Sequence, residues 1–225
     1  MAKGLDNQKK RAITIIELMR IATKDMDEPA ATSITRQYGR NPFLVLVSCI
    51  LSLRTKDTVS LPASQRLFAY AQAPQALLLL SPQTIEQLIY PTGFYRQKTK
   101  QQLAISAILL KKYHGTVPNA YEELIALPGV GPKTTSLVLS VGFAIPAICV
   151  DTHVHRISNR LGLVQTKSPV QTETELKLLL PKEYWSEFNK LMVMWGQNIC
   201  TPVSPRCSVC PLRPLCPQVG LTKHR

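Results

Sequence analysis

The sequence predicts an all-α protein, and three observations carry that expectation. Apolar residues recur at helical spacing along most of the chain, while strand-type alternation is scarce. Helix-start residues, some followed directly by proline, stand ahead of the periodic stretches. Two long uncharged, largely apolar runs are present. Phe43–Leu53 has 11 residues, and the uncharged stretch Thr134–Val150 has 17 but is broken by Gly142 and Pro146. Neither suits a membrane span, and both read as buried helices.

The elements follow in order. A first helix is predicted near Arg11–Thr23. Asn41-Pro42 sets a capping side chain before a proline in the first turn, ahead of the run to Leu53. A helix near Thr58–Ala71 follows, and Ser81-Pro82 repeats the device before Ile85, Leu88 and Ile89. After a helix near Lys98–Lys112, Asn119 and Glu122 have the spacing of a capping box for a short helix leading to Ala126. Further helices are predicted near Lys133–Phe143, Thr152–Leu161, Val170–Leu180 and Lys182–Ile199. Beyond Cys200, five prolines (Pro202, Pro205, Pro211, Pro214, Pro217) exclude a regular helix.

At 225 residues the chain suits one large domain or two modest ones, and 45% hydrophobic against 18% charged residues excludes a disordered chain. Lys and Arg number 27 against 14 Asp and Glu, a net charge of +13 that points to a polyanionic partner, nucleic acid above all. Met1–Lys10 is polar, with no apolar core and cleavage site behind it. A soluble, cytoplasmic protein in a reducing compartment is expected, with no membrane partner.

Four of the six cysteines, Cys200, Cys207, Cys210 and Cys216, form a C-x6-C-x2-C-x5-C pattern on the proline-rich tail. In a reducing compartment metal binding is favoured over disulfides, and zinc and an iron–sulfur cluster both accept four thiolates. Cys49 and Cys149 lie within apolar runs and read as core residues.

Leu127–Thr134 reads LPGVGPKT. A nucleotide-binding P-loop needs four residues between its glycines and a preceding strand, and this segment has neither. What remains is a helix, a tight Gly-Val-Gly turn and a second helix opening at Pro132. Such a turn presents backbone N–H groups and a positive helix end to a phosphate, and Gly129 and Gly131 let a DNA backbone come close. Lys133 sits in the first helical turn, beside the apolar stretch that follows. Dipole and apolar surroundings both favour the uncharged amine, the form that acts as a nucleophile. The next acidic residue is Asp151, in CVDTHVHR; from spacing it is a helix cap for Thr152 onward. His153 and His155 read as nucleic-acid contacts or ordinary polar residues.

Together, LPGVGPKT, VDTH and the cysteine tail resemble the endonuclease III family of DNA glycosylases, over roughly Asn41–Pro217. The resemblance implies a helix–hairpin–helix at Tyr121–Gly142, with Gly129, Val130, Gly131 and Thr134 contacting DNA. It implies a catalytic lysine at Lys133, a catalytic aspartate at Asp151, and a 4Fe–4S cluster on Cys200, Cys207, Cys210 and Cys216. It further implies a six-helix domain of about residues 35–145 and a discontinuous cluster domain of 1–34 and 146–225, flanking a DNA groove. The implied activity is a monomeric glycosylase and AP lyase for oxidised pyrimidines in double-stranded DNA, acting on a damaged base or abasic site. Arg54, in LSLRTKD, falls where the family often has a glutamine that fills the gap left by the flipped base. Phe94, in PTGFYRQK, falls at the position of an apolar wedge, and His153 and Arg206 are further candidate DNA contacts. The alternatives are a monofunctional uracil or thymine mismatch glycosylase and a non-catalytic DNA-binding module.

Overall fold

The computed structural model describes residues 2–225. Among them are twelve α-helices and no strand. These are α1 (Ala2–Ala22), α2 (Ala30–Tyr38), α3 (Pro42–Ser52), α4 (Asp57–Phe68), α5 (Pro74–Leu78) and α6 (Pro82–Ile89). Then come α7 (Tyr95–Tyr113), α8 (Tyr121–Ile125), α9 (Pro132–Leu137), α10 (Thr152–Arg160), α11 (Pro169–Leu179) and α12 (Trp185–Asn198).

Side-chain oxygens start several of them. Asn41 Oδ1 accepts the N–H groups of Phe43 and Leu44 at 3.0 and 3.3 Å. Ser81 Oγ accepts from Thr84 at 3.1 Å, and Ser168 Oγ from Gln171 at 3.3 Å. In all three the next residue is a proline, whose missing N–H costs nothing in the first turn. The capping box expected at Asn119 and Glu122 does not form: the residue ahead of α8 is Ala120, and no side chain caps it. The helix expected over Lys133–Phe143 is α-helical only to Leu137 and widens into a π turn at Val138–Gly142. A Cβ on Gly142 would stand 3.1 Å from Pro42 Cα, so this turn runs closely against the head of α3. Two elements were absent from the sequence expectation, α2 and α5. In α2 only Ala30 and Ile34 are buried, and α5 is five residues long, so neither carries a repeating apolar stripe.

The chain divides into two compact units, one formed by residues up to Glu28 with Pro146–Arg225, the other by Pro29–Ile145. In the second, α3 is central. Every residue from Phe43 to Leu51 is buried, as an all-round apolar helix requires, and α2, α4, α7, α9 and the π turn pack on it. Since α2 packs on α3 and α4, the division falls ahead of this helix, not within it at Thr35.

The discontinuous unit is closed by α1. Ala12, Ile15, Ile16 and Met19 form an i, i+3, i+4, i+7 stripe, all fully buried. They join Phe188, Leu191, Met192 and Trp195 of α12, with Ile157 of α10 and Leu176 of α11, in one core cluster. Each large side chain buried there contributes about 1.5–3 kcal/mol. No helix is long and apolar enough to cross a membrane among the described residues.

Candidate active site and metal centre

The Gly-Val-Gly hairpin is built from its apolar anchors. Leu124, Leu127 and Val130 are buried, and the Val130 N–H closes the turn on the Leu127 carbonyl at 3.1 Å. Gly129 has φ +68, and a Cβ there would lie 2.1 Å from Gln101 Nε2, which itself donates to the Pro128 carbonyl at 2.8 Å. The positive φ favours glycine at 129, and a Cβ there would also push aside the Gln101 amide that ties α7 to the hairpin. Gly131 differs: its φ is −104, and a Cβ would meet nothing within 4 Å. The missing side chain leaves the approach to the head of α9 clear.

Lys133 is the second residue of α9 and its side chain is exposed. The uncharged stretch expected beside it turns inward, with Val138 and Leu139 buried, while Lys133 is exposed at the head of α9. Thr134 is 3% exposed and Val130 6%, so any DNA contact they make is through the backbone, not the side chain. Beneath α9, burial pushes the Cys49 thiol up to about 12, with the positive charge of Lys133 pulling partly the other way. Cys49 and Cys149 are core residues, 3% and 1% exposed.

Arg54 and Phe94 come together in the same unit. The Arg54 guanidinium lies over the Phe94 ring, 5.6 Å from its centroid, and both side chains are exposed. Both residues have left-handed backbones, with φ 52 and φ 57.

Asp151 belongs to the discontinuous unit, where it is 9% exposed. Its Oδ1 accepts the N–H groups of His153 and Val154, both at 2.9 Å, and so caps α10 as its spacing suggested. His153 is half-buried. Its Nδ1 is 3.2 Å from Arg156 Nη2 and would lie 2.1 Å from a Cβ on Gly196, so the ring packs against α12. His155 is half-buried, with Nδ1 2.7 Å from Thr172 Oγ1.

Cys200, Cys207, Cys210 and Cys216 line a single pocket together with Ile157 and Trp195. Two short 3-10 turns, Cys207–Val209 and Arg213–Leu215, carry the segment around it. Burial pushes the thiols of Cys207, Cys210 and Cys216 up, while N–H groups of Leu212 and Gln218 pull Cys210 and Cys216 partly back. Arg160 anchors the loop: Nη1 reaches Cys200 Sγ at 3.4 Å and the Thr201 carbonyl at 2.7 Å, and Nη2 the Pro202 carbonyl at 2.8 Å. Arg11 binds the carbonyls of Leu161 and Leu215. Arg206 is exposed on this loop, with its N–H bonded to the Ile199 carbonyl at 3.0 Å.

Residues 47–182 match the family described as HhH-GPD superfamily base excision DNA repair protein. The chain belongs to this superfamily. It is 47% identical over 196 residues to "Endonuclease III" of Thermotoga maritima, covering 85% of this chain and 92% of the relative. It is 45% identical over 193 residues to "Endonuclease III-like protein 1" of Bos taurus, covering 84% of this chain and 62% of that one. Among solved structures, a trapped endonuclease III–DNA covalent intermediate superposes with a TM-score of 0.81 at 35% identity, covering 93% of this chain and 96% of that one.

For this HhH-GPD chain, sequence reading passed over two residues of α7. Lys98 and Gln101 each tie a neighbouring turn, and Lys98 is 4% exposed. The signal was available: Lys98 stands in register with the buried Gln102, Ile105 and Leu109 at i+4, i+7 and i+11.

Proposed function

We propose that the chain is a bifunctional DNA glycosylase and AP lyase that removes oxidised pyrimidines from duplex DNA. The observation that carries this reading is Lys133: an exposed amine at the head of α9, directly after a glycine hairpin whose approach is left clear at Gly131. A covalent enzyme–DNA intermediate, which the endonuclease III structure traps, is what a lysine nucleophile in that place would form.

A base inside a duplex is out of reach, so the nucleotide is extruded at a cost of roughly a few kcal/mol, least for a damaged base. The hairpin N–H groups and the basic surface hold the phosphates. Lys133, in its uncharged form, attacks C1′ as the glycosidic bond breaks and the base leaves with the bonding electrons. The Asp151 carboxylate, held by its α10 cap, stabilises the positive charge that develops on the sugar. The attached nitrogen loses a proton and the C1′–O4′ bond breaks, opening the sugar to a Schiff base; this acidifies the C2′ proton, whose loss expels the 3′ phosphate by β-elimination.

Cys200, Cys207, Cys210 and Cys216 suit a 4Fe–4S cluster. All four line one pocket, which also receives N–H groups and the Arg160 guanidinium, donors that favour thiolate sulfur. Zinc needs four sulfurs about 2.3 Å from one point. The C-x6-C-x2-C-x5-C spacing, shared with the iron–sulfur tail of the endonuclease III family, favours the cluster over zinc. When bound, the cluster would supply the iron–thiolate bonds that close a loop whose regular structure is limited to two short 3-10 turns.

Borohydride trapping on duplexes bearing thymine glycol, an abasic site or a G·T mismatch tests the function. A covalent complex with the first two, absent in Lys133→Gln, is expected. Base release from the G·T duplex without trapping would instead mark a monofunctional mismatch glycosylase, and neither signal a binding module.

A further inference from the structure

Lys98 is a buried lysine, 4% exposed, with no carboxylate among the partners of its ammonium given by the hydrogen bonds. Nζ donates to the Leu51 carbonyl at 2.6 Å and to Thr55 Oγ1 at 2.9 Å. The Leu51 carbonyl lies in the last turn of α3, where carbonyls lack helical partners and the dipole favours a cation. Thr55 Oγ1 also accepts the Gly93 N–H at 3.1 Å. A Cβ on Gly93 would stand 3.1 Å from the Arg54 carbonyl oxygen, so the two turns touch. One ammonium thus joins, through one hydroxyl, the turn that carries Arg54 to the turn that carries Phe94.

Both of those residues hold left-handed backbones, φ 52 and φ 57. Such conformations cost on the order of 1–3 kcal/mol each and persist only where the surroundings over-determine them. The Lys98–Thr55–Gly93 link is that surrounding. It leaves the guanidinium stacked on the ring with both side chains facing out.

We propose that Lys98 is a positioning residue that presents Arg54 and Phe94 as one preformed pair to DNA. Arg54 fills the gap left by the extruded nucleotide and Phe94 enters the opposite strand, so the proposal rests on the glycosylase reading above. A lysine is needed because its head must donate to two acceptors at once from a position four side-chain carbons away on α7. Gln101, three residues further along the same helix, holds the hairpin at Pro128, so α7 sets the spacing between pair and hairpin.

The test uses the full chain and a duplex with a tetrahydrofuran abasic analogue opposite 2-aminopurine, beside an undamaged duplex. Wild type should raise the 2-aminopurine fluorescence and prefer the abasic duplex. In Lys98→Met, and in the milder Thr55→Val if the first fails to fold, the rise should be lost and the preference should fall about tenfold, roughly 1.4 kcal/mol. Binding of undamaged duplex should stay at the wild-type level, which a merely weakened fold would not allow. Arg54→Ala and Phe94→Ala should show the same loss. If those two lose it while Lys98→Met and Thr55→Val keep it, Lys98 has no positioning role. If all four keep it, the pair itself does not read the lesion, and the proposal falls with that reading.

Discussion

Asp151 Oδ1 accepts the Val154 N–H at 2.9 Å, so the proposed catalytic carboxylate is also the N-cap of α10. The two roles separate by substitution. Asp151→Asn keeps an oxygen at the cap but removes the charge. Its melting temperature should stay near wild type, while single-turnover base excision should fall about 10²–10³-fold, the usual worth of one preorganised electrostatic group. Asp151→Ala should lose about 1 kcal/mol of stability in addition. Equal melting losses in both variants would mean that the charge, not the cap, holds α10.

The hairpin glycines should behave differently from one another. Gly129→Ala meets a positive φ and the Gln101 side chain, so it should destabilise the protein by about 1–2 kcal/mol and weaken DNA binding. Gly131→Ala meets open space at an ordinary φ, so stability should be unchanged while DNA affinity falls, because the added methyl group stands where a phosphate backbone approaches. Thermal melts and fluorescence-anisotropy titrations on the same duplex separate the two.

How much of this was legible in the sequence follows from where each signal lies. The α1 stripe, the Asn41 and Ser81 caps and the cysteine spacing are local patterns, readable without neighbours. The π turn at Val138–Gly142 was not, because it answers to Pro42, about a hundred positions earlier. That Lys133 leaves α9 on its exposed side was likewise not written in the local pattern: a run of apolar letters does not say on which side of the helix the lysine leaves. Lys98 was passed over although its register with Ile105 and Leu109 marks the buried face of α7; its acceptors, Leu51 and Thr55, lie on another part of the chain and carry no local signal.

The cysteine loop has only short 3-10 turns and is anchored in the core at Leu212, so the order of the rest should depend on what the thiols hold. Cys207→Ser should give colourless protein, with iron and sulfide analyses near zero and a lower melting temperature. Folded, colourless Cys207→Ser with wild-type DNA affinity would overturn the structural role of the cluster.

Lys98 also makes a pH prediction with a definite sign. Burial lowers its pKa from 10.5 to about 8. Between those values the unfolded chain binds a proton that the folded chain does not, so stability rises with pH across that window. The contribution is complete above about 10.5 and is lost as pH falls through about 8. Allowing for the ammonium's residual contact with solvent, it is on the order of 1 kcal/mol. Lys98→Met has no such group, and subtracting its denaturation curves from those of wild type removes the other lysines and tyrosines that titrate in the same range. The difference should therefore move in favour of wild type from pH 8 to 10.5. A difference that stays flat would mean that the ammonium is as well solvated in the fold as in the open chain, and that the Leu51 and Thr55 contacts do not enclose it.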